Sequence, residues 1–201
     1  MIVAIVPAAG KSERMGQPKL LLPLGHRRVI EHVLAALAGS QVNHTIVVAP
    51  PGADELCAIV RSHNAELAQL PEPTADMRAS IVFGLARAEQ RWGSGALDAF
   101  LVALADQPTL LSRTVDHLIA RFHSSTRSIF IPTLGGRRGH PALFAWRHAD
   151  AVRSLPPDQG LNSLVAQLDT EVEECPTDAP GMLQDLDTPG DYDRLKNVWP
   201  K

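Results

Sequence analysis

The stretch Val3-Ala-Ile-Val-Pro-Ala-Ala-Gly-Lys-Ser-Glu-Arg-Met-Gly-Gln-Pro-Lys19 sets the architecture of the chain. Ile2 to Val6 is a short apolar, β-branched run of the kind that forms a strand buried on both faces. Pro7 has no N–H to give a ladder, so it is expected to end that strand. Ala8, Ala9 and Gly10 then present almost no side chain, which lets a ligand lie against bare backbone. Three cations follow, Lys11, Arg14 and Lys19. A small-residue turn after a first strand, followed by positive charge, is what a polyphosphate site requires. The alternative is an ordinary strand-turn-helix with surface charges. Two familiar phosphate loops do not fit. Gly10-Lys11-Ser12 lacks the earlier glycine of a P-loop, with Ile5 in its place, and the next glycine after Gly10 is Gly16, too far for a dinucleotide fingerprint.

Outward from this stretch, strand and helix patterns alternate, which predicts an α/β layered fold with a largely parallel sheet. Val29 to Leu37 has helical spacing and ends at Gly39; His44 to Ala49 reads as a strand closed by Pro50-Pro51-Gly52. Asp54 to His63 reads as a helix and Glu66 to Leu70 as a short strand. After a loop over Pro71 to Asp76, a helix is expected over Met77 to Ala86. Arg78 and Ser80 fall at its start, where free N–H groups and the positive dipole end favour an anionic or polar ligand. A capped helix with a surface arginine accounts for them equally well. Ala99 to Ala105 is the most apolar strand candidate, ended by Asp106-Gln107-Pro108. A carboxylate just past a buried central strand lies where open α/β sheets place ligands, and Asp is a hard oxygen donor suited to Mg²⁺. Its alternative is a turn residue.

In the second half, Ile129 to Pro132 reads as a strand. The glycine-rich segment Gly135 to Phe144 carries Arg137, Arg138 and His140, a second place to hold an anionic group or simply solvated charges. A helix runs to Leu168 after Asp158-Gln-Gly-Leu-Asn162, and Val172 to Cys175 suggests a late strand. Asp185-Leu-Asp187 is expected to close the sheet and Thr188-Pro189 to cap and open a final helix.

Length suits one domain over 1–201, with a nucleotide-binding half over 1–110 and an acceptor-binding half over 111–201. A net charge of -3 and an aromatic share of 4% argue against a nucleic-acid binder with a basic face or stacking platforms. Cys57 and Cys175 lie far apart in no metal-ligand spacing, and neither a signal peptide nor a membrane-spanning run is evident, so a cytoplasmic protein is expected.

These pieces together resemble the molybdenum-cofactor nucleotidyltransferases, most closely the cytidylyltransferase branch, nearly end to end. Ala8-Ala-Gly-Lys-Ser-Glu-Arg-Met-Gly-Gln-Pro-Lys19 matches the family's A-A-G-x-S-x-R-M-G-x-x-K pattern. Met77-Arg-Ala-Ser-Ile81, Leu104-Ala-Asp-Gln-Pro108, Arg138-Gly-His-Pro-Ala-Leu-Phe144 and Asp185-Leu-Asp-Thr-Pro189 support it. The resemblance implies a Rossmann-like three-layer α/β/α fold of the nucleotide-diphospho-sugar transferase type, with a mostly parallel mixed sheet. It implies a Mg²⁺-dependent transfer of CMP from CTP to the phosphate of molybdopterin, with release of pyrophosphate and with the recipient molybdoenzyme or its chaperone as a further partner. Catalytic roles then fall to Arg14, Lys19 and Asp106. The nucleotide falls to Ala8, Ala9, Gly10, Arg14, Lys19, Arg78 and Ser80, the acceptor to Arg138, Gly139 and His140, and the metal to Asp106 and Asp187. Ala8-Ala9, where guanylyl-transferring relatives tend to have Gly-Gly, favours CTP over GTP. Three departures stand out: Pro7 in place of leucine, Asp76 in place of glycine, and a 158–162 segment without the family's leading glycine and its arginine. The last concerns the acceptor half. A sugar or polyol phosphate as acceptor, a GTP-using enzyme, and a non-catalytic cofactor-binding chaperone are the rival readings.

Overall fold

In a computed structural model, described over residues 1–74 and 76–199, the opening run forms β1 (Ile2–Pro7). Ala75, in the expected loop, and residues 200 and 201 lie outside the described residues. Pro7 is the last strand residue rather than the first beyond it. Its missing N–H costs the ladder little, because Ala8 N–H continues it by donating to Val48 O at 2.8 Å.

A small hairpin, β2 (Pro23–Leu24) and β3 (Arg27–Arg28), leads into α1 (Val29–Ala38). Then come β4 (His44–Ala49), α2 (Asp54–Ser62), β5 (Glu66–Gln69) and α3 (Met77–Trp92), the last extending six residues past Ala86. β6 (Ala99–Val102) ends its ladder early, although Ala103 N–H still donates to Ile5 O at 3.1 Å. No element is expected between Pro108 and Ile129, yet α4 (Ser112–Ser124) lies there and buries Val115, Leu118 and Ile119. β7 (Ile129–Leu134) turns through Gly135 and Gly136, both at positive φ, into β8 (Arg137–Arg138), followed by β9 (Ala142–Ala145). After α5 (Ala149–Arg153) and α6 (Leu161–Gln167), β10 (Val172–Pro176) completes the sheet. Asp185-Leu-Asp187 adds no strand, contrary to expectation. It runs as irregular chain into α7 (Pro189–Val198), which begins at the expected Thr188 cap with Pro189 in its first turn.

The main sheet has the order β10-β7-β9-β6-β1-β4-β5, with β8 paired to β7. Strands β5, β4, β1, β6, β7 and β10 share one direction, and β8 and β9 oppose them. This is the mostly parallel mixed sheet expected. Its strands come from both sides of residue 110.

The pleat sends Ile2, Ala4 and Val6 of β1 to one face and Val3 and Ile5 to the other, all buried. The first face packs against α1, α2, α4 and Tyr192 of α7, and the second against α3, α5 and α6. Three layers result. Gly84 lets α3 approach the sheet closely: a Cβ there would lie 2.7 Å from Ile5 Cγ2 and 3.1 Å from Val48 Cγ2. Among the described residues, no helix is long and apolar enough to cross a membrane.

Candidate functional site

β1 has β4 on one side and β6 on the other, so the connections leaving β1 and β6 diverge and open a crevice beyond their carboxyl ends. Ile5 faces Val102 in this register, which brings Ala8 to Gly10 level with the chain around Asp106. The loop is held in shape locally. Ser12 has a left-handed φ of 52°, Met15 is buried as an anchor, and Gly16 turns the chain at φ 66°. The Lys19 N–H then donates to Ser12 Oγ at 3.3 Å. Lys19 is thereby fixed at the mouth of the crevice.

There its ammonium sits between two carboxylates. Nζ is paired with Asp106 Oδ2 and lies 3.2 Å from Asp187 Oδ1. Arg14 Nη2 approaches the other oxygen of Asp187 at 2.9 Å. The Lys19 and Asp106 side chains are only 16% and 17% exposed, whereas Arg14 is 71% exposed, so the lysine–aspartate contact is the shielded part of the cluster. Burial works against the charge on Lys19, but the hydrogen bonds and charges of Asp106 and Asp187 outweigh it and raise its pKa. Burial likewise pushes the Asp106 carboxyl above its ordinary range, against the opposing pull of Lys19. Each group therefore depends on the other to stay charged.

A cavity of about 230 Å³ opens on this cluster. Ala8, Ala9, Gly10, Arg14, Lys19, Ser80, Asp106 and Asp187 all line it, so most of the expected donor site converges on one space. Arg78 does not. It turns back on the α3 cap, with Nη2 3.3 Å from Asp76 Oδ2, and its buried Nε has no hydrogen-bond partner among the described residues. Asp76 caps α3 by accepting from the Arg78 N–H at 2.8 Å, and it lines the cavity with Thr74. The expected site included neither, although Asp two residues ahead of Arg78 is a cap signal.

The three acceptor candidates line a second cavity of about 350 Å³, walled by Val102, Phe144 and Asn162 among others. Arg138 spends its guanidinium on Glu174, at 2.9 Å, and Asp169, at 3.2 Å, so it is not the free anion receptor its place in a glycine turn suggests. Gly139 is packed so closely that a Cβ would lie 2.5 Å from the Met182 carbonyl oxygen. Burial lowers the His140 pKa, while Asp185 and Asp106 pull it the other way. The ring lines this cavity and feels the charges of Asp185 and Asp106.

As for a metal, Asp106 and Asp187 bring two hard carboxylates to one point, where Lys19 now supplies the positive charge. Among the described residues, no group of three ligating side chains exists. Two carboxylates suit Mg²⁺, which keeps waters and binds substrate phosphates rather than an all-protein cage. Both free cysteines are buried, and burial pushes the Cys175 thiol up to about 11, leaving it inert.

Residues 4–172 match the family model described as the MobA-like NTP transferase domain. The purine catabolism protein PucB of Bacillus subtilis is 29% identical over 206 residues, covering 98% of this chain and 97% of PucB. The nicotine blue oxidoreductase of Paenarthrobacter nicotinovorans is 27% identical, over 93% and 92% of the two chains. Among solved structures, Rv0371c of Mycobacterium tuberculosis superposes with a TM-score of 0.82 at 25% identity, over 98% of this chain and 97% of that one. Rv0371c is also known as a complex with manganese.

Proposed function

The chain belongs to the MobA-like NTP transferase family and is a nucleotidyltransferase; on that premise we propose that it transfers CMP from CTP to the phosphate of molybdopterin, releasing pyrophosphate. One observation carries the reading. A bare small-residue loop, two cations and two carboxylates meet at the β1/β6 crevice, with Lys19 held between Asp106 and Asp187.

In this mechanism the backbone of Ala8, Ala9 and Gly10 lies against the nucleotide, with Ser80 and the α3 amino terminus on its far side. Lys19 and Arg14 exchange their carboxylate partners for the triphosphate. The acceptor phosphate, already ionised near neutral pH, attacks the α-phosphorus; a new phosphoanhydride O–P bond forms as the α–β bond breaks, and the electron pair leaves with pyrophosphate. No protein base is required. The chain supplies alignment and fixed positive charge facing the oxygens on which charge builds. Asp106 and Asp187 would hold Mg²⁺, which when bound offsets charge on the phosphates. Arg78 acts through the cap of α3, and Gly139 and His140, with Arg138 at the rim, form the acceptor side. We place the reaction in the cytoplasm, where buried reduced cysteines are at home.

The preference for cytidine rests on the resemblance of Ala8-Ala9 to the cytidylyl branch. The test incubates the protein with Mg²⁺ and each NTP in turn, with and without molybdopterin, and measures pyrophosphate. CTP-selective release only with molybdopterin is expected. Release with GTP alone sinks the cytidine assignment, and release with a sugar or polyol phosphate in place of molybdopterin sinks the acceptor assignment.

A further inference from the structure

Asp187 is eighty-one residues from Asp106 in sequence, and between a short 3-10 turn at Pro180–Leu183 and the start of α7 the chain that carries it is irregular. Something must hold it in place. The backbone contributes two bonds: Leu186 N–H donates to Asp106 O at 3.1 Å, and His140 N–H donates to Met182 O at 3.2 Å. Gly181 lies flat on Thr109, where a Cβ would meet the Thr109 carbonyl oxygen at 2.4 Å. Side chains join these contacts as well: Thr109 Oγ1 donates to the Gly181 carbonyl oxygen at 3.2 Å. Gln107, 2% exposed, donates from Nε2 to Asp185 Oδ1 at 2.6 Å and is 3.3 Å from Met182 O.

We propose that Gln107 is a positioning residue that fixes Asp187 opposite Asp106 by clamping the 182–186 segment through Asp185 and Met182. Gln107 is adjacent to Asp106, so one rigid turn sets both carboxylates: Asp106 directly, and Asp187 through a segment held at two points. The chemistry selects an amide. Both partners at Nε2 are acceptors, and a carboxylate of the same shape would present a third acceptor and a like charge beside Asp185 and Asp106. Gln107 does not line the nucleotide cavity, so its effect is transmitted through Asp187. The inference rests on Asp187 being a metal carboxylate, as proposed above.

The test uses Mn²⁺ as probe, read by electron paramagnetic resonance of the bound ion and, separately, by the metal dependence of pyrophosphate release. Gln107→Glu and Asp185→Ala are each expected to raise the Mn²⁺ Kd and the metal KM about tenfold, the size typical of a lost outer-shell partner, with kcat at saturating metal nearly preserved. Asp185 is exposed, so its variant keeps the fold even if the buried Gln107→Glu does not. Asp185→Asn retains an acceptor for Nε2 and is expected to bind Mn²⁺ as the wild type does. A merely structural role would lower the melting temperature and the amount of active protein while leaving the metal KM unchanged, and that result overturns the proposal. Asp187→Ala separates the two levels. If it weakens Mn²⁺ binding while folded Gln107→Glu and Asp185→Ala do not, the clamp is wrong and the metal assignment stands. If Asp187→Ala leaves Mn²⁺ binding intact, both fall.

Discussion

The proposed donor side and the proposed acceptor side of this molecule are built in different ways. On the donor side, eight of the nine residues expected for nucleotide and metal line a single cavity, and most come from one short loop next to the central strand. On the acceptor side, the three expected residues share a cavity but differ in what they do there. Arg138 is in ion pairs, Gly139 is a packing contact, and His140 is a half-buried ring whose charge burial disfavours. A site made from backbone and a few sequence neighbours is encoded locally. A site made from side chains on distant elements is encoded by whatever the fold brings against them.

The largest expected effect tests the donor side. Lys19→Ala or Asp106→Ala should cut pyrophosphate release by about 10³-fold or more, with the circular dichroism of the folded protein retained. The two variants differ in one respect. Lys19→Ala leaves two carboxylates with no ammonium between them, so it should bind Mn²⁺ more tightly than the wild type without nucleotide, whereas Asp106→Ala should bind it more weakly. Full turnover in either variant removes the assigned roles.

Next come the glycines that let elements approach. Gly84→Ala thrusts a methyl group against Ile5 and Val48 in the middle of the sheet, and should cost about 1–3 kcal/mol in urea unfolding. Gly139→Ala meets a backbone carbonyl of the 180–187 segment instead. It should shift that segment and depress activity more than its loss of stability explains. If the two variants lose activity only in proportion to stability, the acceptor side is as rigid as the donor side and the contrast between them disappears.

Smaller again is Arg138→Ala. Its ion pairs with Glu174 and Asp169 are solvent-facing, so the melting temperature should hardly move. The acceptor KM should rise a few-fold while the CTP KM stays constant. An unchanged acceptor KM would remove Arg138 from the site altogether.

The same contrast governs what could be read from the sequence. The loop from Ala8 to Lys19 was legible because small residues, a turn and cations within one stretch constrain chemistry without any tertiary knowledge. The strands flanking it were legible from β-branched runs, and α1 from its period. The period of α4 is equally present in Val115, Leu118, Ile119 and Phe122, so this helix too has a local signature. Other features have no local signature. That Lys19 bridges Asp106 and Asp187, that Gln107 meets Asp185, and that Arg138 is neutralised by Glu174 all follow from pairing of segments 30 or more residues apart. In the last case the pairing of β7 with both β8 and β10 brings the two side chains together.

The smallest expected effect concerns pH and belongs to the acceptor side. Burial lowers the pKa of His140, and burial with Arg147 lowers that of His148. Once pH falls below about 6.5, an unfolded chain gains protons on these histidines that the folded chain refuses. The stability they allow is fully present above that value and drains away as pH drops toward their folded pKa values. Asp106, whose pKa burial raises, contributes with the opposite sign, and the His140 variant separates the two. The melting temperature should therefore fall between pH 7.5 and pH 5.8, and His140→Asn should fall less over the same interval. Parallel curves for the two proteins would mean that His140 takes up its proton as freely in the fold as in water, and that the acceptor side is wetter than its burial indicates.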